Sequence, residues 1–235
     1  MLIMDNKMIK TILLDIDDTL YSYDKANKEA LKQLYQYCQK QFGWDKEKIN
    51  FLIQEAQREQ KQVLNRDCSS IHNRLIRFQL MLEKEKKPFM PYALEMYHCY
   101  WDTLLKHIEV EPGVALFFRW AKQKNIRIGI ATDMTAYIQY KKLERLDVLS
   151  QIDFIVTSEE VGVEKPHPKF FERCMEKAEC GLDEVVMIGD NWNKDIIGAR
   201  SIGMKALWYH PNQAVEENSL YTLKSFSELE KIERI

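Results

Sequence analysis

Short apolar runs that end in polar residues recur along this chain, and stretches of helical periodicity follow them. Thr11-Ile12-Leu13-Leu14 runs into Asp15, Ile126 to Ala131 into Thr132, and Val185 to Gly189 into Asp190. Phe154-Ile155-Val156 before Thr157-Ser158 and Lys205 to Tyr209 before His210 have the same β-rich character. Helical patterns cover Val114 to Lys124, Ala136 to Leu149, Pro168 to Cys180 and Lys194 to Ile202. Strands alternating with helices predict an α/β fold, a parallel sheet with helices on both faces. Right-handed crossovers gather the connecting loops beyond the carboxyl ends of such strands, so ligands bind there. Every polar residue just named falls at that edge.

From about Tyr21 to Glu111 the alternation stops. Asp24 to Phe42 sets Ala30, Leu31, Leu34, Tyr35 and Cys38 at helical spacing, and Ile49 to Leu64 and Ile71 to Leu82 repeat the pattern. Pro88 and Pro91 bracket a turn before another helix from Tyr92 to Ile108. Residues 21–111 therefore read as an all-helical insertion, and Glu111-Pro112-Gly113 returns the chain to the sheet. Residues 1–20 and 112–235 make up the sheet domain. The charged run Glu83 to Lys87 reads as a solvated helix end.

Bulk properties narrow the function. With 46% hydrophobic residues among 235, the chain can bury a core. A net charge of -2, from 34 basic and 36 acidic residues mixed along the sequence, offers no cationic field to a nucleic acid polymer or a membrane surface. Five scattered cysteines without a CxxC pair fit a reducing cytoplasm. No apolar run approaches the roughly 20 residues that span a bilayer, and the mixed opening Met1 to Lys10 does not read as a leader. The expectation is a soluble, cytoplasmic protein acting on a small molecule, with its oligomeric state open.

Asp15-Ile16-Asp17-Asp18-Thr19 carries the most chemistry. In extended backbone Asp15 and Asp17 point to one face, and two anions so close must be protonated, metal-bound or solvated. Their hard oxygens suit Mg²⁺. Gly189-Asp190 brings another carboxylate to a strand end, with Asp195 five positions on, placed to hold a metal-bound water or Lys165, or to stabilise a helix N-terminus. Lys165-Pro166 sets an ammonium in a turn, and Thr132 offers a hydroxyl after a buried strand. Cys68, His72, His98 and Cys99 match no closed zinc pattern. Tyr21, Tyr23, Trp44 and Trp101 suit the core or stacking on a ligand; Trp192 suits the site entrance or packing on the insertion.

Taken in order, Asp15-x-Asp17-x-Thr19, Thr132, Lys165-Pro166 and Gly189-Asp190-x-x-x-x-Asp195 resemble the four motifs of the haloacid-dehalogenase-like hydrolase superfamily, over nearly the whole chain. The resemblance implies a Rossmann-like core with the nucleophile strand central and a helical cap of the C1 type. It also implies a Mg²⁺-dependent phosphatase acting on a small phosphorylated metabolite, such as a nucleotide or sugar phosphate. Asp15 would be the nucleophile and Asp17 the acid and base, while Thr132, Asp133 and Lys165 surround the phosphate. The metal would be held by Asp15, Asp190, Asp195 and the backbone carbonyl of Asp17. An acidic residue at 17 argues for an alkoxide leaving group, since halide needs no proton. The alternatives are phosphoryl transfer between sugar hydroxyls, as in phosphoglucomutase-like relatives, and a non-catalytic phosphate-ligand-binding protein. Asp133 and His167 depart from the commonest residues of the family pattern.

Overall fold

The computed structural model of the protein describes residues 8–211 and 221–235. Its centre is a six-stranded sheet in the order β3-β2-β1-β4-β5-β6, formed by β1 (Thr11–Leu14), β2 (Arg127–Thr132), β3 (Phe154–Thr157), β4 (Val185–Gly189), β5 (Lys205–Tyr209) and β6 (Thr222–Leu223). All five pairings are parallel, and β1 lies between β2 and β4. Five strands lie where the apolar runs predict them. The short edge strand β6 and a final helix, Leu229–Glu233, carry too little periodicity to be read in advance.

Side-chain alternation explains the layers. Ile12, Leu14, Ile128, Ile130, Val186 and Ile188 face one apolar cluster, and Leu13, Ala131, Val185 and Met187 face another. The second is covered by α8 (Pro168–Ala178), which follows the single-turn α7 (Ser158–Val161), through Phe170, Phe171 and Cys174. On the other face lie α5 (Val114–Gln123) and α6 (Ala136–Arg145).

Between β1 and α5 the chain is helical throughout: α1 (Tyr23–Phe42), α2 (Lys46–Leu64), a 3₁₀ turn at Ser69–His72, α3 (Arg74–Lys84) and α4 (Tyr92–Lys106). Asp45 caps α2 by accepting from the Lys48 amide at 2.8 Å, and Asn73 caps α3 through the amides of Leu75 and Ile76. The apolar stripe of α1 is Ala26, Ala30, Leu34 and Cys38, all buried. Tyr21, Trp44 and Trp101 are buried in the same cluster, so these aromatics serve packing. Entry and exit of the insertion lie side by side, with the Glu111 amide donating to the Leu20 carbonyl at 2.8 Å. Among the described residues no helix is long and apolar enough to cross a membrane.

Candidate active site

The carboxyl ends of β1, β2 and β4 deliver Asp15, Thr132 and Asp190 to one cavity of ≈ 280 Å³, which Lys165 and Asp195 also line. Lys165 is the hub. Its side chain is 2% exposed, and Nζ lies 2.9 Å from Asp15 Oδ1, 2.7 Å from Asp195 Oδ1 and 2.9 Å from the Ala131 carbonyl. Burial alone would lower its pKa, but Asp15 and Asp195 outweigh that and hold it well above the ordinary lysine value. It is a fixed cation.

Asp15, Asp190 and Asp195 present ligand atoms that all lie within 4.8 Å of one another. Three anions so close need a cation, and Lys165 supplies one charge only. Burial first, then Asp195 and Asp190, push Asp15 well above the usual carboxylate range despite Lys165. Burial, Asp195 and Asp18 raise Asp190 to about 7. The donor set is hard oxygen, suited to Mg²⁺. Asp15 Oδ2 and Asp190 Oδ2 make no hydrogen bond to the described residues, whereas Asp195 spends Oδ1 on Lys165 and Oδ2 on the Asn191 amide at 2.9 Å. Asp195 thus orients the lysine and the loop after β4, leaving Asp15 and Asp190 with oxygens to give. A side chain at Gly189 would collide with the Asp195 carboxylate, which explains the glycine at the end of β4.

These shifts set a stability prediction. A carboxyl whose folded pKa is raised stabilises the protein below its unfolded value near pH 4 and loses that contribution as pH rises through the folded value. In chelator, thermal stability should therefore fall as the pH climbs from about 4 to about 7, the Asp190 value. With millimolar Mg²⁺ the fall should disappear, because the cation favours the ionised forms. Melting curves that ignore Mg²⁺ at every pH would remove the cluster as a metal site.

Asp17 is the surprise. β1 ends at Leu14, so strand alternation does not carry the pair to one face, and the Asp17 carboxylate leaves the carboxylate cluster. Lys142 Nζ meets both of its oxygens, at 2.6 and 2.8 Å; Tyr21 also donates to it, and Gln139 at 3.2 Å. Burial pushes the Asp17 pKa up, yet Lys142 and these donors together hold it below the usual range. Lys142 and Gln139 carried no signal in the sequence, because both sit in a helix whose face toward the site depends on packing.

The departures from the family pattern are also compensated. Asp133 Oδ1 accepts from the Lys165 amide at 3.1 Å, and its Oδ2 pairs with Lys194 Nζ at 2.7 Å. Lys194 also reaches buried Glu164 at 3.0 Å, and Glu164 meets His72 of the insertion at 2.8 Å. His72 thus lies against that carboxylate, and it joins no metal cluster among the described residues. His167 caps α8, accepting from the Lys169 amide through Nδ1. Thr132 Oγ1 accepts from Gln139 at 2.6 Å. Trp192 lies edge-on to Trp208 at 5.1 Å and is not among the residues that line the cavity.

Comparison with known proteins bears on this geometry. The profile of haloacid dehalogenase-like hydrolases matches residues 12–209. The chain belongs to that family. Among similar proteins, a ribulose-1,5-bisphosphate 5-phosphatase of Halopiger xanaduensis is 29% identical over 88% of this chain and 87% of its own. A glyceraldehyde 3-phosphate phosphatase of Methanopyrus kandleri is 31% identical over 84% and 82%. A phosphatase structure from Thermococcus onnurineus superposes with a TM-score of 0.72 at 25% identity, over 95% of this chain and 97% of that one. The chain is accordingly a haloacid dehalogenase-like enzyme of the phosphatase branch.

Proposed function

We propose that the protein hydrolyses a small phosphomonoester, a phosphorylated sugar in the first instance, by forming and breaking a phosphoryl bond to Asp15. The observation that carries this reading is the buried Lys165 clamped between Asp15 and Asp195 at the floor of a cavity that Asp17 also enters. Relatives named for triose and pentose phosphates support the sugar class.

Asp15 and Asp190 are the side chains that would hold Mg²⁺, with the Asp17 carbonyl, and Asp195 would act through its contacts. A bound Mg²⁺ supplies positive charge that lets an anionic carboxylate meet an anionic phosphate. An Asp15 oxygen then attacks phosphorus in line while the ester oxygen departs. Lys165 keeps the Asp15 carboxylate oriented and sets its positive charge beside the equatorial phosphoryl oxygens, to which the Thr132 hydroxyl offers an O–H. The leaving oxygen takes a proton from Asp17, and in the second half Asp17 takes one from the water that attacks the aspartyl-phosphate. Lys142 favours ionised Asp17, which fits the second half. For the first half a proton must reach that carboxyl, and burial, which lowers the Lys142 pKa, eases its passage along the 2.6 Å contact.

The direct test is a panel of sugar phosphates, nucleoside monophosphates and p-nitrophenyl phosphate assayed with Mg²⁺ and with chelator. Release of inorganic phosphate that depends on Mg²⁺ is expected, strongest among the sugar phosphates. An isomerised phosphate ester in place of free phosphate would assign a mutase. Binding without turnover of any panel member would assign a ligand-binding protein.

A further inference from the structure

The catalytic cavity does not end at the carboxylates. Tyr23, His72 and Arg74 of the insertion line it, and the same three residues line a second cavity of ≈ 290 Å³ within the helices. The two differ in charge. The first holds the aspartates of the reaction site, whereas the second is lined by Arg74, Arg77 and His72 and by no Asp or Glu.

Arg74 is aimed and makes no ion pair among the described residues, although the charge of the more distant Asp17 acts on it. Its Nη2 donates to the Tyr100 hydroxyl at 2.7 Å and to that of Tyr23, and its guanidinium lies 4.4 Å from the centre of the Tyr100 ring and 5.1 Å from that of Trp101. These contacts fix the plane of the group and leave Nε and Nη1 without a hydrogen-bond acceptor among the described residues. Arg77 behind it donates to Gln60 Oε1 at 3.0 Å and the Ile71 carbonyl at 2.7 Å, both uncharged. Burial and then the neighbouring Arg74 lower the Arg77 pKa to about 10. Among the described residues neither arginine has a carboxylate partner, although most other buried charges of this protein do. Arg77 is buried and Arg74 partly buried, and two neighbouring cations so placed cost free energy that an incoming anion relieves.

We infer that the substrate carries a second anionic group, a phosphate or a carboxylate, distal to the reacting phosphoryl group, and that Arg74 binds it. The inference rests on the phosphatase reading and names its substrate class. Arg74 spans both cavities, so a single molecule can place one anion over Asp15 and the other against the guanidinium. Planar, doubly donating contact to a phosphate or carboxylate is what a fixed guanidinium does best.

The experiment compares a ladder of α,ω-alkanediol bisphosphates, ω-phosphooxy carboxylates and matched alkyl monophosphates. In the wild-type protein, kcat/KM for one of the doubly anionic series should exceed that of the monophosphates by roughly 10- to 100-fold, the worth of a hydrogen-bonded charge contact. The series that wins tells phosphate from carboxylate. Arg74→Gln should bring the ratio close to unity, chiefly through KM, and Arg74→Lys should restore part of it. Calorimetry on the Asp15→Asn protein reads the same preference without turnover, so it survives a failure of the hydrolysis assay. A wild-type ratio near unity in both kinetics and binding overturns the inference, as does an Arg74→Gln protein that weakens all three series alike. Absence of phosphate release in the wild type from every ester of the panel and of the ladder, with the binding preference intact, would instead overturn the phosphatase reading alone.

Discussion

Asp15→Asn should reduce phosphate release by on the order of 10³-fold or more, because in the proposed mechanism Asp15 takes up the phosphoryl group. The fold should persist. Asparagine matches aspartate in shape, and Lys165 keeps its 2.7 Å contact with Asp195 after the Asp15 charge is gone. Burial and the two neighbouring aspartates disfavour ionised Asp15 in the absence of a cation, so removing that charge relieves repulsion. In chelator the variant should melt at or above the wild-type temperature, and Mg²⁺ should raise its melting point less. Single-turnover assays with acid quench would look for the phosphoenzyme, present in wild type and absent in the variant. Retention of even a tenth of the wild-type rate would end the assignment of Asp15 as nucleophile.

Lys165→Met should be the most damaging single change to stability. The substitution keeps length and apolar volume but leaves Asp15 and Asp195 facing one another in a site where the lysine side chain is 2% exposed. Removing one member of a buried ion pair costs about 3–5 kcal/mol, and here two carboxylates lose their partner. The loss should depend on pH with a definite sign. Without the ammonium the folded-state pKa of Asp15 rises further, so the defect is small in acid, where Asp15 is protonated, and grows as the pH passes upward through that value. Urea unfolding of wild type and variant at acid and at neutral pH measures this directly. Mg²⁺ should recover more stability in the variant than in wild type, since it supplies the missing charge. A defect of equal size at both pH values would mean that Lys165 matters for packing only. Turnover should drop by on the order of 10²-fold or more, through loss of orientation and of the positive charge beside the phosphoryl oxygens.

These effects follow from residues that strand-end reasoning reaches well. Asp15, Thr132 and Asp190 each follow a buried apolar run, and parallel pairing of β1 with β2 and β4 brings such positions together whatever the loops do. Asp195 and Lys165 were legible as candidates, but their 2.7 Å contact was not, because it depends on how a turn and a helix start dock over the sheet edge. The partners of Asp17 were out of reach altogether. Lys142 and Gln139 look like ordinary polar residues of an amphipathic helix, and only the packing of α6 turns them inward to that carboxylate.

Local periodicity and the ends of apolar runs thus determined the α/β class, the helical insertion, the order of five strands along the chain and the edge where chemistry gathers. All of these depend on short-range sterics and on which face must leave water. Tertiary structure alone decided which charges are partnered. It sent the Asp17 carboxylate to Lys142, gave Asp133 and Glu164 a shared lysine, and left Arg74 and Arg77 without a described carboxylate beside the second cavity. Ion pairing is set by distances of a few ångströms between side chains remote in sequence, and in low-dielectric surroundings those distances govern which groups ionise.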